Sequence, residues 1–354
     1  METDSILKIN PSSTLQVASL KEQIDAARAK KKDQTIGSAA RTIGSQRPGI
    51  RGPPLTKVRR TLRGHFGKVT AFHWGGDSQA LISSSQDGKL LLWNAVTTNK
   101  LHSIPLKSTY VMCVGVEQSI GNLVACGGLD NLCTVYRINH EDKAMEMASH
   151  DGYIASCRFL TEQQLLTASG DSTLILWDVN TGKPIQTFSE HNQDVMSVAV
   201  NPKDANVFVS ASVDRTAKIW DVRDPMGSVQ TFDGHEGDIN GVDFMNSGQG
   251  FGTGSEDGTA RVFDLRAYNE VCKFGRVQTG GEGLTSVSFS RSGRILFGGH
   301  ADSNVLAWDV LSDKASPTFT FNQAHDQHVS CVGVNPNGDA LCTGSWDATL
   351  KIWA

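Results

Sequence analysis

The sequence is poor in several things that would define other classes of protein. Its 354 residues contain only four Tyr, seven Trp and ten Pro. No apolar run approaches the ~18 residues that a membrane span needs, and METDSILKIN at the N-terminus has no apolar core of a signal peptide. Gly does not follow Met1 and KIWA at the C-terminus carries no prenylation box, so no lipid anchor is signalled. These absences predict a cytosolic chain, which something else must hold if it sits at a membrane. The seven Cys (113, 126, 133, 157, 272, 331 and 342) are odd in number and contain no C-x-x-C pair. Neither a disulfide framework nor a zinc site is suggested, and buried free thiols are expected. The net charge of −4 gives no case for nucleic acid.

What the chain does have is glycine, 35 residues of it, against a usual share of about 7%. Without a collagen period, that excess points to many tight turns and many short strands. The turns recur. An aromatic residue stands at Trp93, Tyr136, Trp177, Trp220, Phe263, Trp308 and Trp353, at intervals of 43, 41, 43, 43, 45 and 45 residues. That period is the one of four-stranded propeller blades, ~40–45 residues each. Six residues before each aromatic lies an Asp (Asp87, Asp130, Asp171, Asp214, Asp257, Asp302 and Asp347), followed by residues with hairpin-turn chemistry such as DGK, DST and DGT. Alternating apolar stretches such as KLLLW and TAKIW flank the turns.

Two further positions come and go together. A His precedes the Asp by 21 to 23 residues in five units: His65, His150, His191, His235 and His325. The same five carry a hydroxyl four residues before the Asp: Ser83, Thr167, Ser210, Thr253 and Thr343. The two units without the His have Cys126 and Gly298 there. A buried imidazole without partners costs ~1–3 kcal/mol, so such pairing is what a hydrogen-bonded set requires.

These residues resemble the WD-repeat family from residue 57 to 354, which implies an all-β, seven-bladed propeller. By that resemblance the buried sets are His65/Ser83/Asp87/Trp93, His150/Thr167/Asp171/Trp177, His191/Ser210/Asp214/Trp220 and His325/Thr343/Asp347/Trp353. In the fifth unit His235/Thr253/Asp257 stand with Phe263, so the indole donor is missing and the network should be weaker. The chain ends on a third strand, and residues 57 to 62 have no blade of their own. They are expected to supply the missing outer strand and close the ring, because a single blade of ~40 residues cannot bury enough surface alone.

No catalytic, cofactor-binding or metal site is predicted. Five near-copies of a His/Asp/Ser set are strange for a hydrolase, three of the hydroxyls are Thr, and no G-x-S-x-G elbow exists. His325 and His328 (HDQH) have i,i+3 spacing in the loop before a strand but complete no obvious metal site, so a solvated loop is expected there. The Gly pairs at 127–128, 280–281 and 298–299 precede turns or strands and do not form phosphate cradles.

Residues 1 to 56 break the repeat. They hold nine Lys/Arg and five Asp/Glu, a net +4 that leaves −8 for the remainder. Within residues 1–34, Val17, Leu20, Ile24 and Ala27 step 3, 4, 3, the a/d seam of a coiled coil. Two heptads are marginal alone, so the seam predicts a partner helix. Residues 35–56 read as a Gly/Pro/Arg connector laid over the propeller rim.

A seamed helix, a basic connector and seven repeats resemble the β subunits of heterotrimeric G proteins. The strings RRTLRGH (59–65), SQDGKL (85–90), ACGGLDN (125–131), GHEGDIN (234–240), TSVSFSRSGR (285–294) and TGSWD (343–347) carry that resemblance. It implies an obligate γ subunit on the coiled coil and a propeller face that binds GDP-loaded Gα. After release that face binds effectors, in receptor signalling at the cytoplasmic face of the plasma membrane. The contact positions it implies are Lys68, Lys100, Tyr110, Met112, Leu129, Asn131, Tyr153, Asp194, Met196, Asp238, Asn240 and Trp346. Independently, loops joining strands d to a and b to c open on one propeller face. Trp346 beside a turn Asp suits a binding hot spot there. Met112, Met196 and Leu129 are assigned to similar loop positions, and Met suits surfaces with several partners. Thr70, Tyr110, Val213 and Glu256 depart from the animal pattern, which has Tyr, Trp, Cys and Asp, so partner preferences should differ. The competing expectation is a generic WD-repeat scaffold, such as a ubiquitin-ligase substrate receptor or a chromatin adaptor, with no small coiled-coil partner.

Overall fold

The computed structural model describes residues 57–138, 145–275, 283–312 and 315–354. The coiled-coil seam and the connector, expected within residues 1–56, lie outside the described residues. The Gly-rich turns deliver what they promise, twenty-eight short strands in seven four-stranded antiparallel sheets. Six sheets are simple meanders. The inner strands a are Val69–Trp74, Val111–Val116, Ile154–Phe159, Val195–Val200, Ile239–Phe244 and Leu284–Phe289 for blades 1 to 6, and Val329–Val334 for blade 7.

Blade 7 closes the ring. Its outer strand is Val58–Arg63, which pairs antiparallel with Thr349–Trp353. Leu62, 1% exposed, packs beside Leu350 and Ile352 in one apolar cluster with Val69 and Phe72 of blade 1. The closing strand therefore covers the seam between the first and last blades.

The core lies between blades, face against face. Leu166, Leu174, Leu176 and Phe188 of blade 3 pack with Val195, Val198, Phe208 and Trp220 of blade 4. Each sheet is buried on both faces, which is why central strands such as Leu174–Asp178 are almost continuously apolar. Wedge-shaped blades with both faces covered leave few free edges for mispairing.

All seven inner strands carry the same irregularity. The register with strand b shifts between the first and third residue, as between Val69 and Ala71 or Val195 and Ser197. The second residue of each inner strand is thus a bulge residue, and a bulge re-aims its side chain. Among the described residues no helix is long and apolar enough to cross a membrane.

Candidate docking face at the channel mouth

The repeated Asp sits in the turn between strands b and c, and the blade is built around it. In blade 4, Asp214 Oδ2 accepts His191 Nδ1 at 2.8 Å and the Asn192 backbone N–H at 3.0 Å. Its Oδ1 accepts the Thr216 N–H at 3.0 Å and the Thr216 hydroxyl at 2.7 Å. His191 Nε2 and Trp220 Nε1 both meet Ser210 Oγ, at 2.7 and 2.8 Å. The indole N–H can only donate and so uses one hydroxyl lone pair. The same chain runs through His150/Thr167/Asp171/Trp177, through His65/Ser83/Asp87/Trp93 and through His325/Thr343/Asp347/Trp353. In blade 5 His235 bridges Asp257 at 2.9 Å and Thr253 at 2.6 Å, with Phe263 in the indole position.

Two members of this set escape inspection of the repeat at first. The residue two before each of these Asp is Ser (85, 169, 212, 255 and 345), fully buried, and its hydroxyl accepts the Asp N–H. The residue two after is Thr in four of them, adding a hydroxyl donor. The strings S-x-D and D-x-T were visible in the sequence, but turn chemistry alone explains them. Burial pushes the Asp214, Asp257 and Asp347 carboxyls up, yet the His and Thr hydrogen bonds and the turn N–H groups outweigh it and hold all three well below the usual range. Burial lowers His65 and His150, against the raising effect of their Asp partners.

Blade 6 solves the same space differently. It lacks the hydroxyl, and a Cβ at Gly298 would sit 2.8 Å from the Trp308 ring. The indole fills the volume instead, stacking on Phe274 at 6.1 Å. Trp308 Nε1 has no hydrogen-bond partner among the described residues.

One backbone hydrogen bond ties two turns together on one face of every blade. The N–H of the residue before each turn Asp donates to the carbonyl of the residue before each inner strand. The pairs are Gln86 to Lys68, Leu129 to Tyr110, Gly170 to Tyr153, Val213 to Asp194, Glu256 to Asp238, Ala301 to Gly283 and Trp346 to His328, at 2.8–3.2 Å. The residues of the resemblance fall into this frame. Lys68, Tyr110, Tyr153, Asp194 and Asp238 share the position before strand a. Leu129 and Trp346 share the position before the Asp, and Asn131 follows Asp130. Met112, Met196 and Asn240 share the bulge position.

That last placement corrects an expectation. Met112 and Met196 are not in loops but are the second residues of inner strands Val111–Val116 and Val195–Val200. The bulge turns them into the mouth of the axial channel. There they line a cavity of about 440 Å³ with Asn240, Glu256, His328 and Trp346. Lys100 is the exception. It stands on the outer strand Lys100–Pro105 of blade 1, its ammonium 3.3 Å from Gly64 O, away from the mouth.

Several side chains of the face are held in place. Lys68 Nζ lies 3.8 Å above the Trp346 ring, and His328 stacks on that indole at 4.3 Å and 15°. The HDQH loop is only partly solvated: Asp326 and Gln327 are exposed, but His325 is 1% exposed in the network and His328 is half-buried against Trp346. His328 is the missed residue of the face, and aligning the repeats on their inner strands would have found it, since it is blade 7's equivalent of Lys68 and Tyr110. Tyr153 donates its hydroxyl to Asp194 Oδ2 at 2.7 Å, and burial with that carboxylate pushes the phenol up to about 12. Asn240 Nδ2 donates to Glu256 Oε2 at 3.1 Å and to Leu284 O at 2.9 Å. Apolar surface remains open around them: Tyr110 is 60% exposed, Leu129 54% and Trp346 38%. Phe66, 88% exposed beside His65, adds to the same side and is a second residue that the sequence did not signal.

A preformed rim of aromatic, Met and amide side chains around a channel mouth suits protein docking better than small-molecule chemistry. The model of the G protein beta WD-40 repeat family matches residues 13–354. This chain belongs to that family. Among curated relatives it is 39% identical over 360 residues to a guanine nucleotide-binding protein subunit beta of Oryza sativa subsp. japonica, covering 96% of this chain and 94% of the other. It is 39% identical over 373 residues to the subunit beta of Nicotiana tabacum, covering 100% and 98%. A subunit beta of Arabidopsis thaliana is 39% identical over 355 residues, covering 96% and 94%. Membership in the G-protein β family favours a β subunit over a generic WD-repeat scaffold.

Proposed function

We propose that the chain is a non-catalytic docking platform that pairs with a helical γ subunit, binds GDP-loaded Gα on the channel-mouth face and, once released, offers that face to effectors. The observation that carries this is the Lys68–Trp346–His328 stack beside the bulge residues Met112 and Met196. A Trp pre-set between a cation and an imidazole loses little rotamer freedom on binding, which is what makes an anchor residue strong. Lys68, Tyr110, Met112, Leu129, Asn131, Tyr153, Asp194, Met196, Asp238, Asn240 and Trp346 are assigned to Gα and effector contact, with Lys100 as an outlying contact on the side of blade 1.

Val17, Leu20, Ile24 and Ala27 are assigned to γ as the seam of a coiled coil. The γ lipid would then place the complex at the cytoplasmic face of the plasma membrane. A template role is assigned to the face: the switch belongs to Gα and this surface reads it. Purification from native membranes tests the assignment. A lipidated helical protein well under about 100 residues should co-purify at one-to-one stoichiometry, as two heptads of seam need a partner. A chain recovered alone, or only with ubiquitin-transfer components, would overturn the proposal.

A further inference from the structure

The axial channel has a second mouth, among the turns joining strands a and b, on the side away from the docking face. The fifth residue of each inner strand forms a ring just inside it. Four of the seven are Gly, Ala or Ser; the other three are His73, Arg158 and Asp243, which line a cavity of about 290 Å³.

Each of the three makes an inter-blade contact with part of its functional group. His73 Nδ1 accepts the Val116 N–H at 2.9 Å, which places the ring proton on Nε2. Arg158 Nη1 donates to Val114 O at 3.2 Å and Cys157 O at 2.8 Å. Asp243 accepts the Phe289 N–H at 2.8 Å with one carboxylate oxygen, and the Ser288 hydroxyl and the Phe244 N–H also stabilise its charge. Pinning adjacent blades does not explain why these residues are charged. Ser288, in the same ring, accepts the Val334 N–H at 3.2 Å with a neutral hydroxyl. Arg158 and Asp243 are half-buried in the channel wall, and neither forms a salt bridge with the other or with any described residue. The guanidinium keeps Nε and Nη2, and the imidazole keeps Nε2–H, for something else in the channel.

We propose that this ring binds a small dipolar molecule, its carboxylate held by Arg158 and His73 and its ammonium or guanidinium group held by Asp243. A plain anion would leave the Asp243 carboxylate facing it, and a plain cation would face Arg158. Only a ligand with both charges answers both. Arg and carboxylate in a partly desolvated ring favour bidentate, charge-assisted recognition. Burial also pushes the Asp243 carboxyl up to about 6, with Arg158 the charged group that opposes the shift. His73, neutral because burial lowers it, and Arg291 are the other titratable groups lining this cavity.

Calorimetric titration of the chain, as purified with its native partners, tests this with 6-aminohexanoate as the probe. Hexanoate and hexylammonium serve as single-charge controls of matched length. The dipolar probe should bind with a Kd of about 1 mM or below, and both controls at least ~10-fold more weakly. Arg158→Gln and Asp243→Asn should each reduce the probe to control level. Asp243→Ser keeps a hydroxyl for the Phe289 N–H, as Ser288 does for Val334, and removes the charge while sparing the blade contact. Binding should fade as the pH falls through about 6, because the carboxylate exists above that value. Absence of binding by the dipolar probe would overturn the proposal. So would hexanoate binding as tightly with no effect of Asp243→Ser, which would make the ring a simple anion site.

Discussion

Removing Asp214 should unfasten one blade. The carboxylate accepts four donors: His191 Nδ1, the Asn192 and Thr216 N–H groups and the Thr216 hydroxyl. In Asp214→Ala the two backbone groups and the hydroxyl lie near the surface and recover water, at a small net cost. The His191 side chain is fully buried, so its Nδ1 loses its partner without replacement. One buried unsatisfied donor costs about 1–3 kcal/mol, and that term sets the expected loss. With a per-kilocalorie shift of roughly 2–4 °C for large domains, the thermal midpoint should fall by about 2–12 °C. Asp130→Ala is the internal control. Blade 2 lacks the network His, and Asp130 is exposed and, among the described residues, accepts only the Leu132 N–H, at 3.3 Å. It should shift the midpoint by less than a third as much. The loss must also depend on pH in one sense. Asp214 is held below its ordinary value, so its contribution is fully present above about pH 4 and disappears as the pH falls further toward the folded-state value. Scanning calorimetry of the complex from pH 7 down to about pH 2 reads both. Equal shifts for Asp214→Ala and Asp130→Ala would refute the buried-partner argument.

Three other outcomes are expected. Trp346→Ala should weaken Gα·GDP binding by at least ~2 kcal/mol, about 30-fold, with an unchanged melting midpoint; surface plasmon resonance with wild-type affinity would remove Trp346 from the face. Trp177→Phe, which breaks a 2.8 Å bond to Thr167, should cost about 1 kcal/mol more than Trp308→Phe, whose indole N–H has no partner among the described residues, and chemical denaturation of the pair measures the difference. Leu62→Ala in the closing strand should destabilise the ring by about 2–5 kcal/mol, whereas Val58→Ala, 41% exposed, should change it by under ~0.5 kcal/mol; equal effects would mean that the strand does not seal the last blade.

The repeat made most of the architecture legible before any coordinates. An Asp at a fixed offset from an aromatic locates every b–c turn, and the strand lacking a blade of its own, Val58–Arg63, is the one that closes blade 7. The hydroxyl that accompanies each His was legible too, since a buried imidazole needs both partners. The site was less legible because it depends on geometry that letters do not carry. Whether Met112 sits in a loop or a strand turns on a one-residue register shift, and alternation alone assigns it to the wrong place. His328 looked like a solvated loop residue because its partner, Trp346, is eighteen positions away and meets it only after the blade folds. The ring of His73, Arg158 and Asp243 draws on three inner strands of three different blades, so no local motif could announce it.

The central claim is that this face reads the nucleotide state of Gα. Equilibrium binding of the purified complex to Gα loaded with GDP, and to the same Gα loaded with a non-hydrolysable GTP analogue, tests it directly. The account predicts binding to the GDP form tighter by at least ~10-fold, a coupling of about 1.4 kcal/mol, and loss of that preference in Trp346→Ala. Equal affinity for the two forms, or a preference that survives Trp346→Ala intact, would contradict it.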